Sequence, residues 1–418
     1  MNLKDFAVSS LVAAALAAGC SSSTRTLPYA GPSLDAVRAR SSGAYRIEIL
    51  ASLGGTNSAA NALNDRGWAT GTSFLSGNTT MHAALWKGHA PPIDLKTLGG
   101  PNSAVEWPIE SERGYVAGIS ETATPDPLGE SKQWSCHAFL PDGGSSGDTC
   151  LGFVWRDGTM KPLPTLGGNN GYAAGTNKGD VVAGWAETSA KDSTCVAPQQ
   201  LQFLPVTWNA GTLAVHQLPT LTAGGKTDPD GAATAANDMG EVVGISGICD
   251  QAVGRFTAHH AVVWQNGKVA PLQTFGARSW NTPTAINDRG QIAGFLNRPG
   301  AKDRKGGVSW VSVIWQSASA APTKIGFLHG DTVSEPTSIN DSGVVLGVSF
   351  PSSHVWIWRN GKLTDVTKLA LASDPSVQLL SVGGIDARGE IAGQACVLVK
   401  GACPASNATL VTFLAIPH

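Results

Sequence analysis

A turn of the form Asn-Asp-x-Gly recurs along the chain, at Asn64-Asp65-Arg66-Gly67, Asn237-Asp238-Met239-Gly240, Asn287-Asp288-Arg289-Gly290 and Asn340-Asp341-Ser342-Gly343. Degenerate copies stand at Ser111-Glu112-Arg113-Gly114, Asn177-Lys178-Gly179-Asp180 and Asp386-Ala387-Arg388-Gly389. Each turn is followed by a Val/Ala-Gly step, a variable stretch, an apolar run that ends in an aromatic residue, and a second glycine turn, often closed by Leu-Gly-Gly. The closing aromatics are Trp86, Trp155, Trp208, Trp264, Trp315, Trp358 and Phe413. A unit of this size cannot bury its apolar face alone, so neighbouring copies must stack to make a core.

Turn chemistry divides each unit into four short strands, A to D. In the first unit A covers about residues 58 to 64, B about 67 to 73, C about 82 to 87 and D about 92 to 98. Asn-Asp-x-Gly suits a tight A–B hairpin, and Asp157-Gly158, Asn266-Gly267 and Asn360-Gly361 are strong C–D hairpin signals. The 50 glycines in 418 residues fit a chain with many such turns. The last unit has A, B and C and then stops, whereas Tyr45 to Leu50, followed by Leu53-Gly54-Gly55, is a D strand with nothing before it. Adding that strand to the last sheet removes the open edges of an unclosed array. The expected fold is all-β, a seven-bladed β-propeller over residues 44–418, its last blade closed by the N-terminal strand. The rival is an open solenoid, which needs capped ends and gives the first strand no purpose.

Combined in one unit, Asn-Asp-x-Gly, His82-Ala83-Ala84-Leu85-Trp86 and Leu98-Gly99-Gly100 resemble the HAF family of extracellular bacterial repeat proteins, as does His137-Ala138-Phe139. The resemblance covers Tyr45 to the C-terminus and implies an exported protein; it implies no activity and no catalytic residues.

Upstream, Lys4 precedes an apolar run from Phe6 to Ala18 that is too short to span a bilayer but suits a signal peptide over residues 1–19. Ala17-Ala18-Gly19-Cys20 resembles a lipobox, which implies lipidation of Cys20, and Ser21 after it resembles proteins sorted to the outer membrane. Plain secretion is the alternative. Residues 20–43, rich in Ser, Ala and Pro, read as a flexible tether. The other cysteines pair by spacing as Cys136-Cys150 and Cys396-Cys403, leaving Cys195-Cys249 as the long-range bridge. A zinc site competes, but no Cys-x-x-Cys or His-x-x-x-His spacing supports one, and neither metal nor cofactor is expected.

Lys and Arg total 29 against 31 Asp and Glu, so no basic footprint for nucleic acid exists. A monomer touching the membrane through its anchor alone is expected. The histidines that open strand C, His82, His137, His260 and His354, read as satisfying a hydrogen bond within each blade, and the Asn-Asp side chains as fixing their own turns. In a propeller the D–A and B–C connections share one face, and here the B–C connections are long and carry the cysteines. That face is the expected site. Its D–A connections offer Glu106, Trp107, Asn169, Asn170, Tyr172, Asp228, Asp230, Trp280, Asn281 and Glu335. Aromatic faces beside amides and carboxylates suit a glycan, a peptide or an envelope protein. The alternative is a polysaccharide hydrolase or lyase using two of Glu106, Asp228, Asp230 and Glu335.

Overall fold

The computed structural model describes residues 45–107, 111–132, 136, 139–140, 145–249, 258–276, 280–302 and 308–418. The signal segment, Cys20, the tether and His137 lie outside them. Among the described residues the chain is all-β apart from a 3-10 turn at Glu130–Lys132 and one helix, α1 (Val366–Ser373).

Four-stranded antiparallel ladders follow one another along the chain. After β1 (Tyr45–Leu50), the first ladder holds β2 (Gly54–Leu63), β3 (Trp68–Leu75), β4 (Met81–Lys87) and β5 (Ile93–Asp94). The second holds β6 (Gly99–Ala104), β7 (Val116–Pro125), β8 (Asp148–Arg156) and β9 (Thr159–Pro162). The third holds β10 (Gly167–Thr176), β11 (Val181–Lys191), β12 (Leu201–Asn209) and β13 (Val215–Gln217). A small hairpin, β14 (Thr222–Ala223) and β15 (Lys226–Thr227), leads to the fourth ladder of β16 (Asp230–Ala236), β17 (Val242–Gly247), β18 (His260–Gln265) and β19 (Lys268–Pro271). The fifth holds β20 (Thr282–Ile286), β21 (Ile292–Lys302), β22 (Val308–Trp315) and β23 (Thr323–Gly326). The sixth holds β24 (Val333–Ile339), β25 (Val345–Phe350), β26 (His354–Arg359) and β27 (Lys362–Asp365). Last come β28 (Val377–Ile385), β29 (Ile391–Val397) and β30 (Leu410–Pro417), with β1 hydrogen-bonded along β30 from Tyr45↔Pro417 to Leu50↔Thr412. The orphan N-terminal strand therefore lies where the missing D strand was expected.

Two expectations shift. The D strands are shorter, with only Ile93–Asp94 in the first ladder. Leu-Gly-Gly opens strand A rather than closing D: strand B takes the Leu N–H, through Ser73 for Leu53 and Ser120 for Leu98 at 2.9 Å and through the Glu187 carbonyl for Leu166 at 3.0 Å. Leu221 and Leu328, which lack the glycine pair, donate likewise to Ser246 and Ser349.

The Val/Ala-Gly step has a steric cause. A Cβ on Gly71 would lie 2.0 Å from the Ala59 carbonyl oxygen, and one on Gly184 2.0 Å from that of Tyr172. Directly opposite this glycine strand A carries a β-bulge, between Ala60 and Ala62 in the first ladder and Ala233 and Ala235 in the fourth. The bulge bends A where it meets its neighbours, and only glycine leaves room for it. Trp86, Trp208, Trp264 and Trp315 are buried, each donating its indole N–H to a carbonyl at the end of the preceding ladder: Ala51, Pro164, Pro219 and Gln273. In the sixth ladder the fully buried ring is Trp356, paired with Gly347, while Trp358 is half-buried. Both side chains occupy one strand face, and the inner one fills the core.

The Asn-Asp turns do more than hold themselves. Asn287 Oδ1 accepts from Arg289 N and Gln291 N of its own turn, while its Nδ2 donates 3.0 Å to the Asn340 carbonyl of the next ladder. Asn177, Asn237 and Asn340 likewise donate forward to Asn237, Asn287 and Asp386. The aspartates face the other way: Asp238, Asp288 and Asp341 accept the backbone N–H of Lys178, Asp238 and Asp288 in the ladder before. Ala387 N donates 2.7 Å to Asp65 Oδ1, joining the last turn to the first. A side chain in this belt answers one ladder's orphan amides with the next ladder's atoms.

Candidate functional site

Half of the expected site residues lie within strand A, not in the connection before it. Asn169, Asn170 and Tyr172 lie within β10, Asp230 opens β16, Glu335 lies in β24, and Trp280-Asn281 immediately precede β20. Their polar atoms clamp the strand C of the preceding ladder. Cys150 N donates to Asn170 Oδ1 and Phe203 N to Asp230 Oδ1, each at 2.9 Å, and Asn281 Nδ2 donates 2.9 Å to the His259 carbonyl. Asn102, Ser334 and Ser58 serve Met81, Ser312 and Thr412 in the same way. Sequence reasoning passed over this role, although Leu-Gly-Gly-x-Asn at Asn102 and Asn170 marks the position.

Buried carboxyls hold the ends of the strands. Glu187 Oε2 accepts from Asn169 N and Asn170 N at 3.1 and 2.8 Å, and burial pushes its pKa up to about 8. Asp230 is raised to about 8 by burial, with the nearby Asp192 carboxylate adding to the shift. Glu335 is raised to about 8 by burial, opposed only by the Trp310 indole, and its Oε1 has no hydrogen-bond partner. Beside it Trp280 stacks on Trp310 with centroids 4.9 Å apart. Tyr172 stacks on Phe139 at 4.1 Å. Asp228 is half-buried; against that burial, His260 Nδ1 at 2.9 Å and the Ser246 hydroxyl at 2.7 Å hold it below the usual carboxylate range. His82 meets Asp94 at 2.8 Å and His354 meets Asp365 at 3.5 Å, so the three described histidines of the four that open strand C, His82, His260 and His354, find a partner close by.

Glu106 and Trp107 lie beyond β6, toward the A–B turn. Ser58 pairs with Ser73 and Ser103 with Ser120, yet the turn begins at Asn64 in the first ladder and at Ser111 in the second, which has two more residues between those points. The extra length carries Trp107 to the fifth ladder, where its indole N–H donates 3.0 Å to the Thr284 carbonyl. The ring is half-buried against the core cluster that holds Tyr172 and Trp185.

At the same end as the starts of strand A lie the B–C connections, and here the three expected disulfides form: Cys136–Cys150, Cys195–Cys249 and Cys396–Cys403. Cys195–Cys249 joins the connection of the third ladder to that of the fourth. Glu130, in the connection of the second ladder, accepts Gln200 N and Leu201 N of the third at 2.6 and 2.8 Å. The insertions of three consecutive ladders are thus tied into one rim. Beside it, between the second and third ladders, a groove of about 770 Å³ is walled by Pro125, Pro127, Pro162, Pro164 and Leu151. Thr124, Thr149 and Asn169 supply its polar atoms. Asn169 alone of the expected site residues lines it.

Disulfides of this number fit an oxidising compartment outside the cytoplasm. Among the described residues no helix is long and apolar enough to cross a membrane, and no group of His, Cys, Asp or Glu is placed to hold a metal ion.

No family model matches the chain, and no curated protein sequence does. Among solved structures it is similar to the β-propeller domain of the Trilobed protease from Pyrococcus furiosus, described as having an open velcro topology, with 9% identity, 90% of this chain and 94% of that one covered, and a TM-score of 0.42. YCF48 bound to D1 peptide gives 10% identity, 90% and 96% coverage and a TM-score of 0.43. TolB from Acinetobacter baumannii gives 13%, 72% and 62%, and 0.37.

Proposed function

We propose that the ladders close into a seven-bladed β-propeller, with β1 completing the last blade, and that the molecule is an extracytoplasmic binding module of the bacterial envelope. It is held by a lipid on Cys20 and presents its stapled rim to a glycan, a peptide or an envelope protein. The pairing of β1 with β30 and the Ala387–Asp65 bond support the closed form. The HAF-like repeats agree with an exported protein.

The rim with its groove carries the binding reading. A volume near 770 Å³ suits a ligand of several residues, and cross-linked walls lose little entropy on binding. The hydrolase alternative needs carboxyls free to act, whereas Asp230 accepts the Phe203 amide and Asp228 is held by the Ser246 hydroxyl and His260. Purified protein is to be screened on glycan and peptide arrays beside Asn169→Trp, which fills the groove. A ligand retained by the parent and lost by the variant supports the reading. No ligand on either array, and no partner from envelope extracts, defeats it. For the anchor, Cys20→Ser should abolish palmitate labelling and release the protein from the membrane fraction.

A further inference from the structure

The opposite end of the ladders, which the binding reading leaves unused, holds a cavity of about 140 Å³ at the A–B turns. The residue after the first turn position contributes to its rim in every ladder: Asp65, Glu112, Lys178, Asp238, Asp288, Asp341 and Ala387 line it in chain order. Five carboxylates against one ammonium leave this rim acidic.

One cation is already built in. Lys178 Nζ lies 3.8 Å from Asp238 Oδ2 and 3.9 Å from Asp288 Oδ2. Against partial burial, Asp238, Asp288, Asp341 and Asp65 raise the pKa of that ammonium. Farthest from Lys178 in ladder order stand Asp341 and Ala387, and Ala387 fills no space beyond its methyl. Asp341 and Asp65 flank it. Each uses Oδ1 to accept a backbone N–H, from Asp288 and Ala387 respectively, and neither has an ion-pair partner among the described residues.

Below the rim the residue before the turn lines the cavity, Leu63, Ala236, Ile286, Ile339 and Ile385 apolar and Thr176 polar, with Ala285 and Ser338 beside them. Thr176 is 1% exposed, and its hydroxyl has no hydrogen-bond partner. An unsatisfied hydroxyl in an apolar collar is costly and calls for a polar group from outside. A dehydrated metal ion does not fit, since no three carboxylates are close enough to share one. A cation carrying its own hydrocarbon fits better, because its methylenes can cover the collar while its charge meets the rim.

We propose that this mouth binds a primary alkylammonium group, with the ammonium between Asp65 and Asp341 in the slot left by Ala387, the alkyl chain against Ile339 and Ile385, and Thr176 Oγ1, across the mouth on the Lys178 ladder, left for a second polar group of the same ligand. The group comes from a free aliphatic diamine or from a lysine side chain of another protein.

The test is calorimetric titration of the full chain at low salt with 1,4-diaminobutane, with an end-blocked lysine peptide, and with calcium chloride. Asp65→Asn with Asp341→Asn keeps the belt acceptors and removes the charge; binding should weaken at least tenfold. Ala387→Lys puts a tethered ammonium in the slot and should abolish binding while the circular dichroism stays that of the parent. Binding of the diamine alone assigns a small-molecule source, and binding of the peptide assigns a protein source. Failure of both ligands, equal affinity in the two variants, or displacement of the amine by equimolar calcium overturns the proposal.

Discussion

At the A–B end of the ladders one turn is used over and over, with an Asn donating forward and an Asp accepting from behind. At the other end the B–C connection runs from Pro351 to Ser353 in the sixth ladder but from Asp126 to Gly147 in the second. The same sheets thus end in uniformity on one side and in variety on the other. Uniform turns can bond to one another because each meets the same partner; varied ones cannot, and disulfides and buried carboxyls tie them instead. Repetition here holds sheet to sheet, and departure from it shapes a surface.

Asn287→Ala should give the largest effect, since it removes two acceptor contacts and the donor to Asn340 from a buried site. A loss of about 3 kcal/mol, read as a lower chemical-denaturation midpoint for the whole molecule, is expected. A loss confined to that turn, with the global transition unmoved, would break the idea that the belt couples the ladders. Replacing Cys195 and Cys249 together by serine should cost about 2 kcal/mol. Here the change should concentrate in proteolysis and hydrogen exchange around residues 192–200, since the bridge joins two surface insertions. Equal loosening of the Asn-Asp turns would erase the contrast between the ends.

Glu335→Gln sharpens the comparison through pH. The pKa of Glu335 is raised in the folded chain from an ordinary 4.5 to about 8, so the stability tied to its proton is fully present below the ordinary value and is lost as pH rises through 8. The variant should match the parent near pH 4 and exceed it by roughly 1.5 kcal/mol above pH 8, a figure reduced from the full shift for water entering on ionisation. Identical melting curves at alkaline pH would refute the assignment. The smallest effect belongs to His82→Ala, under about 1 kcal/mol at neutral pH. Against burial, hydrogen bonds from His82 and Lys96 hold Asp94 well below the carboxylate range, so that contribution is present above the ordinary pKa and disappears as pH falls through the depressed one. NMR titration of Asp94 should show its pKa rising in the variant.

The repeat disclosed the strand order, the two kinds of turn, the N-terminal strand as the missing fourth partner and all three cysteine pairs. These depend on local chemistry or on the arithmetic of incomplete units. What it hid depends on contacts between units. Asn170, Asp230 and Asn281 looked like ligand groups because nothing in their spacing shows that a neighbouring strand C lies within 3 Å. Trp107 was misplaced because two extra residues break the period just where alignment by eye relies on it. Lys178 read as a decayed copy of Asp, yet it is the counter-ion of the turns that kept theirs. The helix α1, capped by Asp365 accepting from Lys368 N, interrupts the strand pattern over eight residues, too few for its i, i+3, i+4 apolar face of Val366, Leu369 and Ala370 to stand out in the sequence.

The chain enters β1 at Tyr45, opposite Pro417, on the side of the plain turns. Any leash upstream of Tyr45 therefore pulls from that side. On the anchor proposed for Cys20 the insertions would face outward and the acidic A–B end, the underside, would face the membrane. Cargo arriving from the medium would meet the groove first, while the underside would be reached only by something small or already at the mooring.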